Sequence, residues 1–164
     1  METAHLSIRP LRTEDAPALS KWLRAQPPAY ARFFHPFAYD EPAIADALAR
    51  QGKDMFTGLF WQEQVVGFFM LRGWNEGYDV PAFGILIDEQ YRGYGLEMAA
   101  LDMAKVICRL RNVSRLMIKM HPDNISAKGV ARKTGFVQTG VEAASGNLIY
   151  HYDIKPRAAG ASTE

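Results

Sequence analysis

The stretch Ala82–Leu96, AFGILIDEQYRGYGL, constrains this chain more than any other part of it. It begins as a continuous apolar run through Phe83, Ile85, Leu86 and Ile87, the pattern of a strand covered on both faces. Asp88 and Glu89 end the run, and Gln90-Tyr91-Arg92-Gly93-Tyr94-Gly95 makes a short turn. After Gly95 the period becomes helical. Leu96, Met98, Ala99, Leu101, Ala104, Lys105, Ile107 and Cys108 include the i, i+3, i+4 and i+7 spacing of a buried stripe.

A strand that enters a helix through glycines leaves several N–H groups with no partner inside the helix. The helix dipole adds roughly half a positive charge at that end. Gly93 and Gly95 carry no Cβ, so an anion can come close to the backbone, and Arg92 can add a fixed charge beside it. A diphosphate suits the length of such a cradle. Taken alone, a G-x-G spacing is often only a tight turn. The two common phosphate loops fit poorly: no G-x-x-x-x-G-K-[ST] is present, and Met98 stands where the third glycine of G-x-G-x-x-G would be.

A second pattern lies downstream, Asn124-x-x-Ala127 followed by Lys133-Thr134-Gly135-Phe136. With the Gln-x-x-Gly-x-Gly turn before it, in this order and separation, the chain resembles the GNAT superfamily of acyl-CoA-dependent N-acyltransferases. The resemblance implies acetyl-CoA as acyl donor. It implies that Arg92 and the amides of Gly93, Tyr94, Gly95 and Leu96 hold the coenzyme pyrophosphate. The backbone of Ile85, Leu86 and Ile87 would polarise the thioester carbonyl, as a splayed strand does in relatives. Asn124 would hydrogen-bond the coenzyme or a water near the thioester; read from the residues alone, it is equally a helix N-cap. Lys128, Arg132 and Lys133, with Arg92, could meet the coenzyme's phosphates, or form a solvated helix face.

The chain departs from the family in one respect. Many members place a tyrosine four residues before the glycine of Gly-Phe, as acid for the leaving thiolate, and here that position is Ala131. Members that modify protein N-termini use a serine three residues after the asparagine. That place is Ala127, with Ser126 out of register. A thiol pKa near 8.5 makes unaided departure of the thiolate chemically acceptable.

The chemistry also requires a group to take the amine's proton. Glu76 and Asp79, in the loop before the central strand, are the first candidates, in that order. His121 is the third and His35, in an aromatic-rich connection, a weaker one. Each has a bland alternative as a solvated loop charge or strand-end residue. No histidine pairs at ligand spacing, so no metal is expected.

At 164 residues, 48% hydrophobic and 23% charged, the sequence suits one domain over 1–155 with a loose tail over 156–164. Net charge is +1, which gives no field to recruit nucleic acid or a membrane surface. The single cysteine, Cys108, falls on the helix's apolar face as a buried thiol. No apolar run approaches a membrane span and no signal-peptide core is visible, so the cytoplasm is the expected location, as monomer or homodimer.

Taken in order, His5–Leu11 reads as a strand, and Thr13 as the N-cap of a helix to about Arg24 that Pro27-Pro28 ends. Tyr30, Phe33, Phe34, Phe37 and Tyr39 make the aromatic connection, either packing on the core or walling a substrate pocket. Asp40 can cap a helix to about Arg50. Met55–Trp61 and Val65–Leu71 read as a hairpin. After the long helix come a strand over Leu116–Met120, a helix over Ile125–Lys133, and a strand pair over Phe136–Val141 and Leu148–Tyr152. This order implies an α/β (α+β) sheet with helices on both faces. It is also the order of the GNAT fold: a mixed, mostly antiparallel sheet of about seven strands with about four helices. The resemblance implies a small-molecule or peptide amine as acceptor. An amino-sugar nucleotide and a protein N-terminus are both open, as is a non-catalytic acyl-CoA-binding module.

Overall fold

The computed structural model describes residues 4–157. Strand β1 (Leu6–Pro10) leads through a 3-10 turn at Thr13–Asp15 into helix α1 (Ala16–Ala25), followed by α2 (Pro28–Ala31) and α3 (Glu41–Ala49). Next come β2 (Met55–Trp61), β3 (Gln64–Arg72), β4 (Ala82–Ile87) and the long helix α4 (Leu96–Leu110). The chain then forms β5 (Arg115–Met120), α5 (Ile125–Lys133), β6 (Val137–Val141) and β7 (Leu148–Asp153).

Two local expectations change. The helix beyond the expected four is α2, a single turn inside the aromatic connection. Pro28 at its first position has its φ already set and lacks only an N–H that a helix start leaves unpaired. Thr13 does not cap α1. The Asp15 carboxylate does the local work, accepting from the Arg12 N–H at 2.8 Å and from both Arg9 Nη atoms at 2.8 Å. Of the tail expected over 156–164, residues 158–164 lie outside the described residues.

The seven strands form one sheet in the order β1-β2-β3-β4-β5-β7-β6. Every pairing is antiparallel except β4 with β5, which run parallel and share a single rung, Ala82 opposite Met117. There the Met117 N–H donates to the Pro81 carbonyl at 3.0 Å. Past this rung the two strands part, leaving a gap closed at Ala82 and open toward Ile87. The Asp88 N–H donates to Val66 across β3, so peptide groups of the even residues face β3 and those of the odd residues face the gap. Phe83, Ile85 and Ile87 therefore present backbone donors and acceptors to it.

Apolar layers cover the sheet on both sides. Leu101, Ala104 and Cys108 of α4 pack on Phe69, Phe83, Ile87 and Leu116. Leu19 and Leu23 of α1 and Ile44 and Leu48 of α3 pack on Phe56, Phe68 and Leu86. Phe68 and Phe69, adjacent on β3, point into opposite layers and are both fully buried, each contributing roughly 2–3 kcal/mol of transfer free energy. The second layer ends at β4. Beyond it the same face of β5 and β7 carries half-buried Met117, Ile149 and His151 and exposed Lys119. Among the described residues no helix is long and apolar enough to cross a membrane.

Candidate active site

At the open end of the gap, the turn between β4 and α4 has the form its sequence suggests. Gly93 and Gly95 stand at φ +81° and +85°, a left-handed backbone that favours glycine, and a Cβ on either would meet nothing within 4 Å. No side chain caps α4. The contrast with its neighbours is direct. Asp40 caps α3 by accepting from the Ala43 N–H at 3.0 Å, and Asn124 caps α5 by accepting from the Ala127 N–H at 3.1 Å. The first-turn N–H groups of α4 thus have no side-chain cap, with the helix dipole behind them.

Arg92 and Tyr94 are exposed on this turn, and Leu96 is half-buried. The Arg92 guanidinium lies 5.3 Å over the Tyr30 ring, and the Tyr30 hydroxyl donates to the Ile87 carbonyl at 2.5 Å. Of the three strand residues expected to meet a thioester, Ile85 and Ile87 turn peptide groups to the gap. Leu86 does not, because its peptide groups pair with Phe68 on β3. Glu97, in the first turn of α4, has its carboxyl pushed upward by burial, with Arg92 partly opposing that.

Glu76 and Asp79 lie beyond the closed end. Asp79 is three residues before the single rung, at a bend it shares with Val80, and Glu76 sits farther back in the Gly73–Tyr78 turn. Both are exposed. Buried Asp54 holds that turn by accepting from the Gly73 and Asn75 N–H groups at 3.1 and 3.2 Å.

His121 and Asn124 follow β5, so they share the open end with the glycine turn and not with the two carboxylates. Phe33 stacks on the His121 ring with centroids 4.9 Å apart, and Arg32 stacks on the Phe33 ring at 4.3 Å. The rings of the aromatic connection divide between the core and the end of β5. Phe34 and Phe37 pack against Phe68, while Phe33 reaches across the open end of the gap to His121. His121 Nδ1 accepts from the Asp123 N–H at 3.1 Å, which leaves the proton of the neutral ring on Nε2. His35 pairs with the Arg32 carbonyl at 2.8 Å and stacks on Tyr39.

On α5, Ala131 is fully buried and has no polar atom to offer, and Ser126 points into solvent. Lys128 is half-buried, Arg132 and Lys133 are exposed, and none of the three forms an ion pair among the described residues. Cys108 is fully buried with its thiol pushed up to about 11 by burial, which suits packing and not nucleophilic chemistry.

Sequence reasoning missed the groups that hold the glycine turn from the other side: Trp22, Gln26 and Tyr30 against Ile87 and Asp88. These partners are separated by 57 to 66 residues, and no local pattern announces them.

A family model described as an acetyltransferase (GNAT) domain matches residues 5–137. No curated protein matches the sequence. Among solved structures, the chain is similar to PaiA N-acetyltransferase from Thermoplasma acidophilum in complex with coenzyme A. That match has a TM-score of 0.76 and 15% identity, covering 91% of this chain and 99% of that one. It is similar to ribosomal-protein-S5-alanine acetyltransferase from Vibrio fischeri, with TM-score 0.76, 14% identity, and 94% and 96% of the two chains covered. A Salmonella typhimurium acetyltransferase that modifies the N-terminal serine of ribosomal protein L7/L12 aligns with TM-score 0.75 at 17% identity, over 94% and 97%. These likenesses show the fold, and with the family model spanning most of the sequence, from β1 to the start of β6, the chain belongs to the GNAT acetyltransferases.

Proposed function

We propose that this protein transfers the acetyl group of acetyl-CoA to the amino terminus of a peptide or protein. The observation that carries the reading is the uncapped start of α4, with its two left-handed glycines opening into clear space at the mouth of the β4–β5 gap. A diphosphate held there sets the direction of the rest of the coenzyme. Its arm, laid along the free edge of β4, runs from Ile87 past Ile85 toward Phe83, a strand length of about 17 Å over Ala82–Ile87. The thioester then comes to rest near the closed end, where the odd-numbered peptide groups offer N–H donors to the oxyanion of a tetrahedral intermediate.

In the transfer, the amine nitrogen attacks the thioester carbonyl carbon, the C–S bond breaks, and the thiolate leaves. The amine must give up its proton first or at the same time. Asp79 is the carboxylate nearest the closed end along the chain, so it replaces Glu76 as the first candidate for base, acting through water. His121, with its proton on Nε2, is a donor in this geometry and suits holding a carbonyl of the acceptor. With Ala131 buried and apolar, the thiolate departs without a side-chain acid, as its low basicity permits.

The uncovered face of β5 and β7 supports an extended acceptor, since it offers sheet surface beside the gap with Met117, Ile149 and His151 half-buried on it. The Salmonella typhimurium relative, described as modifying the N-terminal serine of ribosomal protein L7/L12, fits the same reading. Release of free thiol from acetyl-CoA, measured with peptides bearing free amino termini and with an amino-sugar nucleotide, tests it. Turnover on peptides is expected; turnover on the sugar alone defeats the acceptor assignment. With a working acceptor, Asp79→Asn should cut kcat/KM about a hundredfold, while Glu76→Gln stays within a few-fold. Equal, small effects of both would leave water held by the backbone as the proton's first stop.

A further inference from the structure

Asp88 is the residue at which β4 ends, and its carboxylate is surrounded by donors. Oδ2 accepts from the Trp22 indole N–H at 2.9 Å and from Gln26 Nε2 at 3.0 Å, both on or next to α1. Oδ1 accepts from the Gln90 N–H at 2.9 Å, inside the turn that leads to Gly93. Gln26, only 7% exposed, completes the link by accepting from the Glu89 N–H at 3.2 Å. Two successive peptide groups of the turn, those of Glu89 and Gln90, are thereby hung on side chains that α1 holds in place.

From these contacts we infer that Asp88 and Gln26 are positioning residues for the diphosphate. They set the path of Glu89–Arg92 and hence the aim of the amides at Gly93–Leu96, without touching the ligand. This inference rests on the coenzyme-binding reading above. The arrangement also answers a question of sign. A carboxylate beside an anion site should repel the anion, and a repelling charge needs another reason for being there. Here its charge is met by two side-chain donors and one peptide donor, each strengthened by that charge, so a neutral amide cannot take its place without turning an N–H toward an N–H.

The opposed signs make the test decisive. Coenzyme A is titrated calorimetrically into the full chain and into Asp88→Asn, with thermal melting measured alongside. Loss of a neighbouring negative charge alone would tighten binding. Loss of positioning weakens it, and the expected result is a rise in Kd of at least about tenfold at a temperature where both proteins are folded. The coenzyme's adenosine 3′,5′-bisphosphate end, extended by its second phosphate and lacking the pantetheine arm, should lose affinity by the same factor, because the defect lies at the diphosphate. Gln26→Leu, which keeps bulk and removes both of its bonds to the turn, should move Kd in the same direction and carries the test if Asp88→Asn fails to fold. Unchanged or tighter binding in the folded variants overturns the inference, as does a loss confined to ligands that carry the arm. Failure of the unaltered protein to bind coenzyme A would instead defeat the functional reading on which the inference stands.

Discussion

Two helices begin on either side of the gap between β4 and β5, and they begin differently. Helix α5 starts as helices in proteins usually do: Asn124 accepts from the Ala127 N–H, and a first-turn donor is satisfied. Helix α4 starts with Gly95 at φ +85° and no side-chain cap, although its 15 residues make it the longest helix among the described residues and the one packed along the central strand. A capped start is a piece of architecture. An uncapped one, on a helix whose position is otherwise secured by Leu101, Ala104 and Cys108 in the core, keeps its donors for something outside the chain. The stability that a cap would have contributed, about 1 kcal/mol, is forgone at the place where a ligand can supply it.

The comparison breaks most sharply at Gly95. Gly95→Val places a branched Cβ in the space where the amides open, and it also forces a β-branched residue into a left-handed backbone. Calorimetry with coenzyme A should detect no binding, and the melting temperature should fall by several degrees while the far-ultraviolet circular dichroism stays that of a folded α/β protein. Gly95→Asn separates the two causes. Asparagine tolerates the left-handed region far better, so stability should largely return while binding stays impaired, because the side chain still stands in the cradle. Binding equal to that of the unaltered protein in either variant would mean that α4's open start is not where the diphosphate sits.

Asn124 tests the other helix. Asn124→Ala removes the cap and should lower stability by about 1 kcal/mol, a fall in Tm of about 2–4 °C in a chain of this size. Asn124→Asp keeps an accepting oxygen for the Ala127 N–H and should restore Tm. What the aspartate lacks is the amide nitrogen, which Asn124 does not use in holding α5. A fall in kcat that persists in Asn124→Asp, with Kd for coenzyme A little changed, assigns that nitrogen a part in the transition state. Recovery of both Tm and kcat in the aspartate variant reduces Asn124 to a cap.

The difference between these two starts also marks where the sequence was legible. The order of elements apart from α2, the bounds of α5, the Asp40 cap and the run from β4 through the glycines into α4 all follow from local signals: period, punctuation and cap chemistry. Asn124 shows the limit of such signals, since one residue type at one helix start suits both a cap and a catalytic amide, and only the 3.1 Å bond to Ala127 separates its oxygen from its nitrogen in role. Leu86 shows another. Which peptide groups of β4 face the gap depends on its register with β3, a fact of pairing that the apolar run Phe83–Ile87 does not contain. Asp88 reads locally as a strand terminator, and its bonds to Trp22 and Gln26 exist because α1 packs over β4. His121 likewise acquires Phe33 and a defined tautomer only from the fold.

The smallest expected effect sharpens the contrast at α4 itself. Glu97 stands in the first turn, where a negative charge is favoured by the dipole, yet its carboxyl is shifted upward because burial penalises the charged form more than Arg92 and the turn relieve it. A carboxyl whose pKa is higher in the folded chain than in the unfolded one favours folding fully only at pH below its ordinary value. That contribution is lost as pH rises through the folded pKa, so at neutral pH the ionised group is a burden on the fold. Glu97→Gln should therefore raise Tm by about 1–2 °C at about pH 7, and the gain should shrink toward zero at about pH 3, where both states hold the carboxyl protonated. Melts recorded across that range check the sign as well as the size. A Tm that falls at neutral pH on substitution would mean that the dipole and Arg92 outweigh burial, and that α4's first turn is stabilised by the very charge that an incoming diphosphate must face.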